Sequence, residues 1–157
     1  MKICADENIS HRLVEIVNDL SGQSLPRLLH VSEIGAQGVK DVIWVRTFAD
    51  QNGEAILTAD ANMSKRQSER IAIGEAGLRL LILPTQYQQG GTRFQAAYML
   101  LWWSRIVELV RQGERGCVLN LPTLTLPKAM PVWERIDVQA ARKRLEKSKR
   151  PNRRKQV

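Results

Sequence analysis

Residues 3–8 read Ile-Cys-Ala-Asp-Glu-Asn, and residues 55–60 read Ala-Ile-Leu-Thr-Ala-Asp. Each stretch is a short apolar run that ends abruptly at an acidic side chain. Short apolar runs of this kind are typical of strands that are covered on both faces of a sheet. Because helical patterns separate the runs, the chain is predicted to be an α/β protein with a mainly parallel sheet.

Strand and helix patterns alternate outward from these two stretches. The predicted strands are 2–5, 28–34, 55–58, 78–83 and 117–121, and the predicted helices are about 9–20, 41–51, 63–76 and 93–112. Leu20 is assigned to the apolar stripe of the first helix, and the pair Trp102-Trp103 to the core. Residues 122–131 are predicted to form an irregular connection. This order indicates a three-layer α/β/α sandwich.

The charge is unevenly distributed along the 157 residues. Residues 142–157 hold nine Lys or Arg and one Glu, and so carry the whole net charge of +8. Residues 1–141 sum to zero and are predicted to form one folded domain. The basic tail is expected to be solvated and to attract polyanions without sequence preference. Two interpretations stay open, a solubilising end or an arm that binds RNA or an acidic partner.

Composition also limits the compartment. No apolar run approaches the ~20 residues that span a bilayer, so no membrane association is expected. The chain begins Met-Lys-Ile-Cys without an extended apolar segment, so no signal peptide is expected. The two cysteines, Cys4 and Cys117, form no Cys-x-x-Cys pair. They are expected to be buried free thiols in a reducing, cytoplasmic environment.

Acidic side chains follow three of the predicted strands. Asp6 and Glu7 follow the first strand, Asp60 follows the third, and Asp41 begins the helix after the second. Ligands of open α/β sheets bind outside the carboxyl ends of the strands. Converging carboxylates raise each other's pKa, and a hard cation such as Mg²⁺ or Mn²⁺ relieves the repulsion. The sequence therefore predicts a metal site at Asp6, Glu7, Asp41 and Asp60, with the three aspartates catalytic.

Some of these residues have simpler interpretations. Asp41 is also well placed to cap the helix that it begins, and Glu7 in a strand-to-helix turn points either into the site or into solvent. Asp19 lies near a helix end and is most simply solvated. His11 and His30 do not have the spacing of a metal-ligand pair, and no role is assigned to them.

The chain resembles the PIN-like domains grouped with VapC-type toxins, in the branch that opens with an Asp-Glu-Asn signature. The matching segments run in the family's order through residues 3–10, 30–41, 56–60, 68–70, 77–83 and 102–107. The resemblance implies a metal-dependent endoribonuclease that hydrolyses RNA phosphodiesters. It also implies a toxin held inactive by a cognate antitoxin protein, and a possible homodimer through exposed parts of the Trp102-Trp103 helix.

The resemblance assigns roles to single residues. Asp6 and Asp60 correspond to metal-binding carboxylates, and Asp41 to a third acid. Glu69 corresponds to a recurrent acid on the following helix, which is either a fourth ligand or a structural partner of Arg70.

The chain departs from the family at position 62. Related chains often carry a second Asp two residues after the one that matches Asp60, whereas this chain has Asn62. Asparagine offers a carbonyl oxygen but no charge. The departure motivates an alternative, a catalytically inactive PIN-like module that binds RNA or a partner. Thr58 is compatible with orienting a water molecule or a phosphate.

Basic residues flank the predicted site. Arg12 follows the first acidic cluster, and Lys65, Arg66 and Arg70 follow Asp60. They are candidates for contacts with RNA phosphates, or they form a solvated helix face.

Two further functions use a similar arrangement of acids. A receiver-like phosphoacceptor domain also places acids after strands one and three and a Lys after strand five, which Lys128 mimics. Against this, that family has Lys-Pro where this chain has Pro-Lys. A DNA-directed nuclease would use the same metal site, and RNA is favoured only by the resemblance.

Overall fold

A computed structural model describes residues 1–124, which form one compact unit. Four features named above lie outside the described residues. They are the domain boundary at residue 141, the basic segment 142–157, Lys128, and the part of the predicted connection beyond residue 124.

A five-stranded sheet forms the centre of the described unit, and every strand pair in it is parallel. Its strands are β1 (Ile3–Ala5), β2 (Leu28–His30), β3 (Ala55–Thr58), β4 (Arg79–Ile82) and β5 (Val118–Asn120). The helices are α1 (His11–Ser21), α2 (Asp41–Asp50), α3 (Gln67–Ala76), α4 (Thr85–Gln89) and α5 (Gly91–Gln112).

The strand order is β2-β1-β3-β4-β5. The chain leaves β1 toward β2 and then crosses back to place β3 on the other side of β1. The order therefore reverses between β1 and β3, and open α/β sheets form their binding crevice at such a reversal.

Alternate residues of the central strands face two separate apolar clusters. Ile3 and Leu57 pack in the cluster that holds the buried residues of α1 and α5, whereas Cys4 and Ile56 pack in the cluster of α2 and α3. Helices thus cover both faces of the sheet. This arrangement confirms the predicted three-layer α/β/α sandwich and explains why the strand segments are apolar throughout.

The second strand is shorter than predicted. It ends at His30, and residues 31–35 form turns. The amide of Glu33 donates to the carbonyl of His30 (2.9 Å), and the amide of His30 donates to the Glu33 carboxylate (3.0 Å). These local bonds replace the strand pairing that the apolar residues up to Ile34 had suggested.

The third helix begins four residues later than predicted, at Gln67. Before it, the amide of Asn62 donates to the Asp60 carboxylate (2.8 Å), and the amide of Lys65 donates to the carbonyl of Asn62 (2.8 Å). Short polar side chains compete in this way with helix formation. A further helix, α4, follows Pro84 directly over five residues and was not predicted from the sequence.

Burial follows the predicted core at most positions but not at all of them. Trp103 is buried, while Trp102 is partly exposed and stacks on Tyr98 with ring centroids 5.9 Å apart. Leu20 is 69% exposed and does not belong to the core. Of the two cysteines, Cys4 is buried as expected but Cys117 is exposed. Among the described helices, none combines the length and apolar character needed to cross a bilayer.

The end of α3 depends on the left-handed conformation of Gly77, whose φ is 64°. We expect Gly77→Ala to lower the free energy of unfolding by about 1 kcal/mol, because an L side chain is strained at this φ. The control is Gly74→Ala in the same helix, where no described atom outside that helix lies within 4 Å of the added Cβ. It should raise stability by up to about 1 kcal/mol. Urea denaturation measures both, and equal effects of the two substitutions would contradict the prediction.

Candidate active site

The site is built where β1 and β3 end side by side. The amide of Asp6 donates to the carbonyl of Leu57 (3.0 Å), which extends the strand pairing one residue past β1. The hydroxyl of Thr58 donates to Oδ2 of Asp6, and the backbone and side-chain amides of Asn8 donate to Oδ1 and Oδ2 (3.1 Å each). The Asp6 carboxylate is thus buried and held in one orientation.

Thr58 connects the two acids that follow the central strands. Its side chain is fully buried, and its hydroxyl oxygen accepts from the amide of Asp60 (2.9 Å) while its hydrogen goes to Asp6. The position of the Asp60 backbone is therefore linked to that of the Asp6 carboxylate. The Thr58 hydroxyl donates and accepts within the protein, and the role suggested for it toward water or phosphate stays a prediction.

The guanidinium of Arg66 contacts three carboxylates. Its Nη2 donates to Oδ2 of Asp60 (2.9 Å), and its Nη1 donates to both carboxylate oxygens of Glu69 (3.0 and 3.1 Å). The same Nη1 lies 3.5 Å from Oδ2 of Asp41. Acids from α2, from the end of β3 and from α3 therefore meet at one side chain.

The contacts that hold Asp41 beside Arg66 were not predicted from the sequence. Lys40 occupies the N-cap position of α2, and Asp41 makes no capping hydrogen bond, so the helix-cap interpretation of Asp41 is wrong. Its Oδ1 accepts from the indole nitrogen of the buried Trp44 (3.0 Å). The other oxygen is left facing Arg66.

The acids are electrostatically coupled. Burial raises the pKa of Asp6, hydrogen bonds from Thr58 and Asn8 oppose that increase, and the charge of Asp41 adds to it. Burial also raises the pKa of Glu69. The hydrogen bond from Arg66 opposes the Glu69 increase, while Asp41 and Asp60 add to it. The site concentrates negative charge that a cation would stabilise.

The remaining predicted residues are distributed around this centre. Glu7 is exposed, and Glu69 pairs with Arg66 in place of the predicted partner Arg70. Arg66 itself, predicted to contact phosphate, is engaged by carboxylates. The other positions predicted near the site are exposed to solvent: Arg12, Asn62, Lys65 and Arg70.

The donor set matches a hard divalent cation in its chemistry. Mg²⁺ and Mn²⁺ prefer carboxylate and water oxygens, and Asp6, Asp41 and Asp60 supply carboxylates on one edge of the sheet. Within residues 1–124, however, no three Asp, Glu, His or Cys side chains are spaced to hold an ion. The guanidinium of Arg66 lies between Asp41, Asp60 and Glu69.

Two residues near the site, both on α4, were not predicted from the sequence. Tyr87 is buried, and its hydroxyl has no hydrogen-bond partner within the described residues. Burial raises the pKa of Tyr87, and the negative charge of Asp6 raises it further. The side chain of Gln88 donates to the carbonyl of Ala59 and ties α4 to the loop after β3. No periodicity marks so short a helix.

Substitution of Thr58 tests the link between the acids. We expect Thr58→Val to lower the free energy of unfolding by about 2 kcal/mol, because it removes one hydrogen bond from the buried Asp6 carboxylate and leaves the Asp60 amide without its partner. Thr47→Val is the matched control, since the exposed Thr47 hydroxyl donates only to the carbonyl of Ile43 in its own helix. That variant should stay within about 0.5 kcal/mol of the parent protein. Chemical denaturation that found the two variants equivalent would rule out the link.

A buried histidine holds the turn between β1 and α1. His30 Nε2 lies 2.9 Å from the carbonyl of Ile9, and the amide of Ser32 donates to Nδ1 (3.2 Å). The bond from the Ser32 amide requires an unprotonated Nδ1, and the Ser32 hydroxyl lies 2.7 Å from the same atom. Burial lowers the pKa of His30 below its ordinary value of 6.5.

The His30 environment predicts a loss of stability in mild acid. As the pH falls through 6.5, the unfolded chain binds a proton at position 30 that the folded protein resists, so unfolding becomes easier. We expect His30→Gln to reduce this dependence. Unfolding free energies between pH 5 and 7.5 measure the effect. Parallel pH curves for His30→Gln and the parent protein would contradict it.

Comparisons with known proteins bear on the same part of the chain. The model of the family described as PIN like domain matches residues 1–85, which is more than half of the sequence and contains Asp6, Asp41, Asp60 and Glu69. Neither a curated protein nor a solved structure gives a significant match. Because the family model covers β1 to β4 and every acid of the site, the chain belongs to the PIN-like domain family.

Proposed function

We propose that this chain is a metal-dependent endoribonuclease, a hydrolase that cuts RNA phosphodiesters. The observation that carries the proposal is the convergence of Asp41, Asp60 and Glu69 beside Asp6 at the reversal of strand order. A fold needs no such group of acids for its stability, since each buried carboxylate is costly. Membership of the PIN-like family supports nuclease chemistry at this position.

The proposed roles follow from how each residue is held. Asp6, Asp41 and Asp60 would hold Mg²⁺ or Mn²⁺, with Glu7 and Glu69 as further candidates. A bound ion of this kind supplies an activated water molecule and neutralises charge that develops on the phosphodiester. The hydrogen bonds from Thr58 and Asn8 keep the Asp6 carboxylate oriented before any ion arrives. Such preorganisation reduces the rearrangement that binding requires.

RNA would be held at the rim of the site. Arg12, Lys65 and Arg70 are exposed near the acids in the sequence, and cations of this kind contact the phosphate backbone without reading bases. The basic segment 142–157 would add attraction of the same type.

The resemblance alone supports the finer assignment, a VapC-type toxin that a cognate antitoxin inhibits and that can pair as a homodimer. The toxin would act in the cytoplasm. The two lone cysteines are consistent with that reducing compartment.

One alternative has its own support. Asn62 replaces a second acid and gives its backbone amide to Asp60, and the carboxylates around it are already neutralised in part by Arg66. Both features would suit a catalytically inactive module that keeps the fold and binds RNA or a partner.

RNA cleavage by the purified full chain separates the two functions. We expect a mixed RNA pool to be cut with Mn²⁺ or Mg²⁺ and to stay intact with EDTA. Asp6→Asn and Asp60→Asn should each slow cleavage roughly a hundredfold or more, because metal-based charge stabilisation contributes several kcal/mol. Asp19→Asn, at an exposed carboxylate on α1, is the control and should cleave normally.

Each outcome of the cleavage assay distinguishes the nuclease from the inactive module. RNA that is bound but never cut, with any of these ions, would support the inactive module. Cleavage that persists in Asp6→Asn and Asp60→Asn would place the activity elsewhere or in a contaminant. A single-stranded DNA pool in parallel shows which polymer is the substrate.

A further inference from the structure

Arg66 occupies the centre of the acidic group. Its guanidinium contacts Asp41, Asp60 and Glu69, which come from three separate elements of the fold. All three lie on or beside the carboxyl-end edge of the sheet. The carboxylates it contacts are the ones that a divalent ion at this edge would also need.

A guanidinium and a divalent ion cannot use the same carboxylate oxygens in the same way. Two cations a few ångströms apart repel each other strongly wherever water is partly excluded. The Glu69 carboxylate, only 8% exposed, already directs both oxygens to Arg66. An ion that took oxygens from Asp60 or Glu69 would therefore have to displace the guanidinium.

The position of Arg66 permits such displacement. It lies immediately before α3, at the N-cap, so its side chain is outside the hydrogen-bonded body of the helix. The side chain is 47% exposed, in contrast to the buried Asp6 and Glu69. A long side chain at such a place can turn to solvent without unpacking the core.

We propose that Arg66 is a tethered cation that competes with a divalent metal ion for Asp41, Asp60 and Glu69. In the metal-free protein it neutralises part of their charge and keeps them close together. Metal binding releases it, and the freed guanidinium then lies next to the site where a phosphate would bind. The inference rests on the proposed function for its metal, and it adds that the chain carries its own competitor for that metal.

The test is Mn²⁺ binding by the full chain with and without this side chain. Free Mn²⁺ is measured by electron paramagnetic resonance during titration of the parent protein, Arg66→Met and Arg70→Met. Met keeps an unbranched stem in place of the Arg stem but removes the charge. We expect Arg66→Met to bind Mn²⁺ about tenfold more tightly, within the usual range for coupled binding events.

Arg70→Met is the matched control. Arg70 is exposed on the same helix, and none of the ion pairs found within residues 1–124 involves it. Arg70→Met changes the net charge by the same amount as Arg66→Met, so it reports the general effect of charge on Mn²⁺ binding. The Mn²⁺ affinity of Arg70→Met should stay near that of the parent protein. Equal or weaker Mn²⁺ binding by Arg66→Met would overturn the competition, as would an equal gain in Arg70→Met.

Cleavage of the RNA pool by the parent protein and Arg66→Met separates this inference from the nuclease. Intact RNA together with tighter Mn²⁺ binding by Arg66→Met would refute the nuclease and support the competition. Cleavage by the parent protein together with unchanged Mn²⁺ affinity in Arg66→Met would support the nuclease and refute the competition.

A second measurement does not depend on the folding of Arg66→Met. The Nε–Hε resonance of Arg66 in the parent protein, assigned by its absence in Arg66→Lys, is followed during titration with diamagnetic Mg²⁺. Because coupling is reciprocal, Mg²⁺ binding should shift this resonance to the position of a solvated arginine. A resonance that stayed in place while Mg²⁺ bound would overturn the competition.

Discussion

The buried carboxylate of Asp6 is the constraint on which the rest of the site depends. It ends the central strand β1, and burial of an unpaired charge there would cost several kcal/mol. Thr58 and Asn8 supply the hydrogen bonds that offset this cost. Thr58 can do so only because β3 lies beside β1 in parallel register. The same hydroxyl then fixes the amide of Asp60, so that one strand pairing determines the positions of two acids.

The second consequence is electrostatic. The acids lie close together because they follow strand ends or begin helices at one edge of the sheet. Their charge must be neutralised by protons, by a protein cation or by a metal ion. In this structure Arg66 performs that task for Asp41, Asp60 and Glu69, and burial raises the pKa of Glu69 despite it. The site therefore stores unfavourable charge that a stronger cation would stabilise further. The acids therefore lower the stability of the folded protein, and destabilising groups of this kind are typical of functional sites.

The sheet and the acids at its edge can be predicted from the sequence, because they depend on local patterns. Apolar runs followed by acids identified β1 and β3, and parallel topology then placed Asp6 and Asp60 on one edge. The partners of the acids could not be predicted in the same way. Arg66 was placed on a solvated or RNA-contacting face, because its bonds to Asp41 and Asp60 depend on how α2 and α3 pack. The Trp44 bond to Asp41 depends on tertiary structure as well.

The departure at position 62 has a physical meaning in this arrangement. An aspartate there would add a negative charge next to Asp60, whose carboxylate already accepts from the amide of residue 62 and from Arg66. Asparagine keeps the backbone bond and leaves out the charge. A charge left out at position 62 and a cation held at Arg66 both reduce the net negative charge of the metal-free group. Asn62 and Arg66 thus both limit the negative charge around the Asp60 carboxylate. The effect of either residue on the site therefore depends on the other.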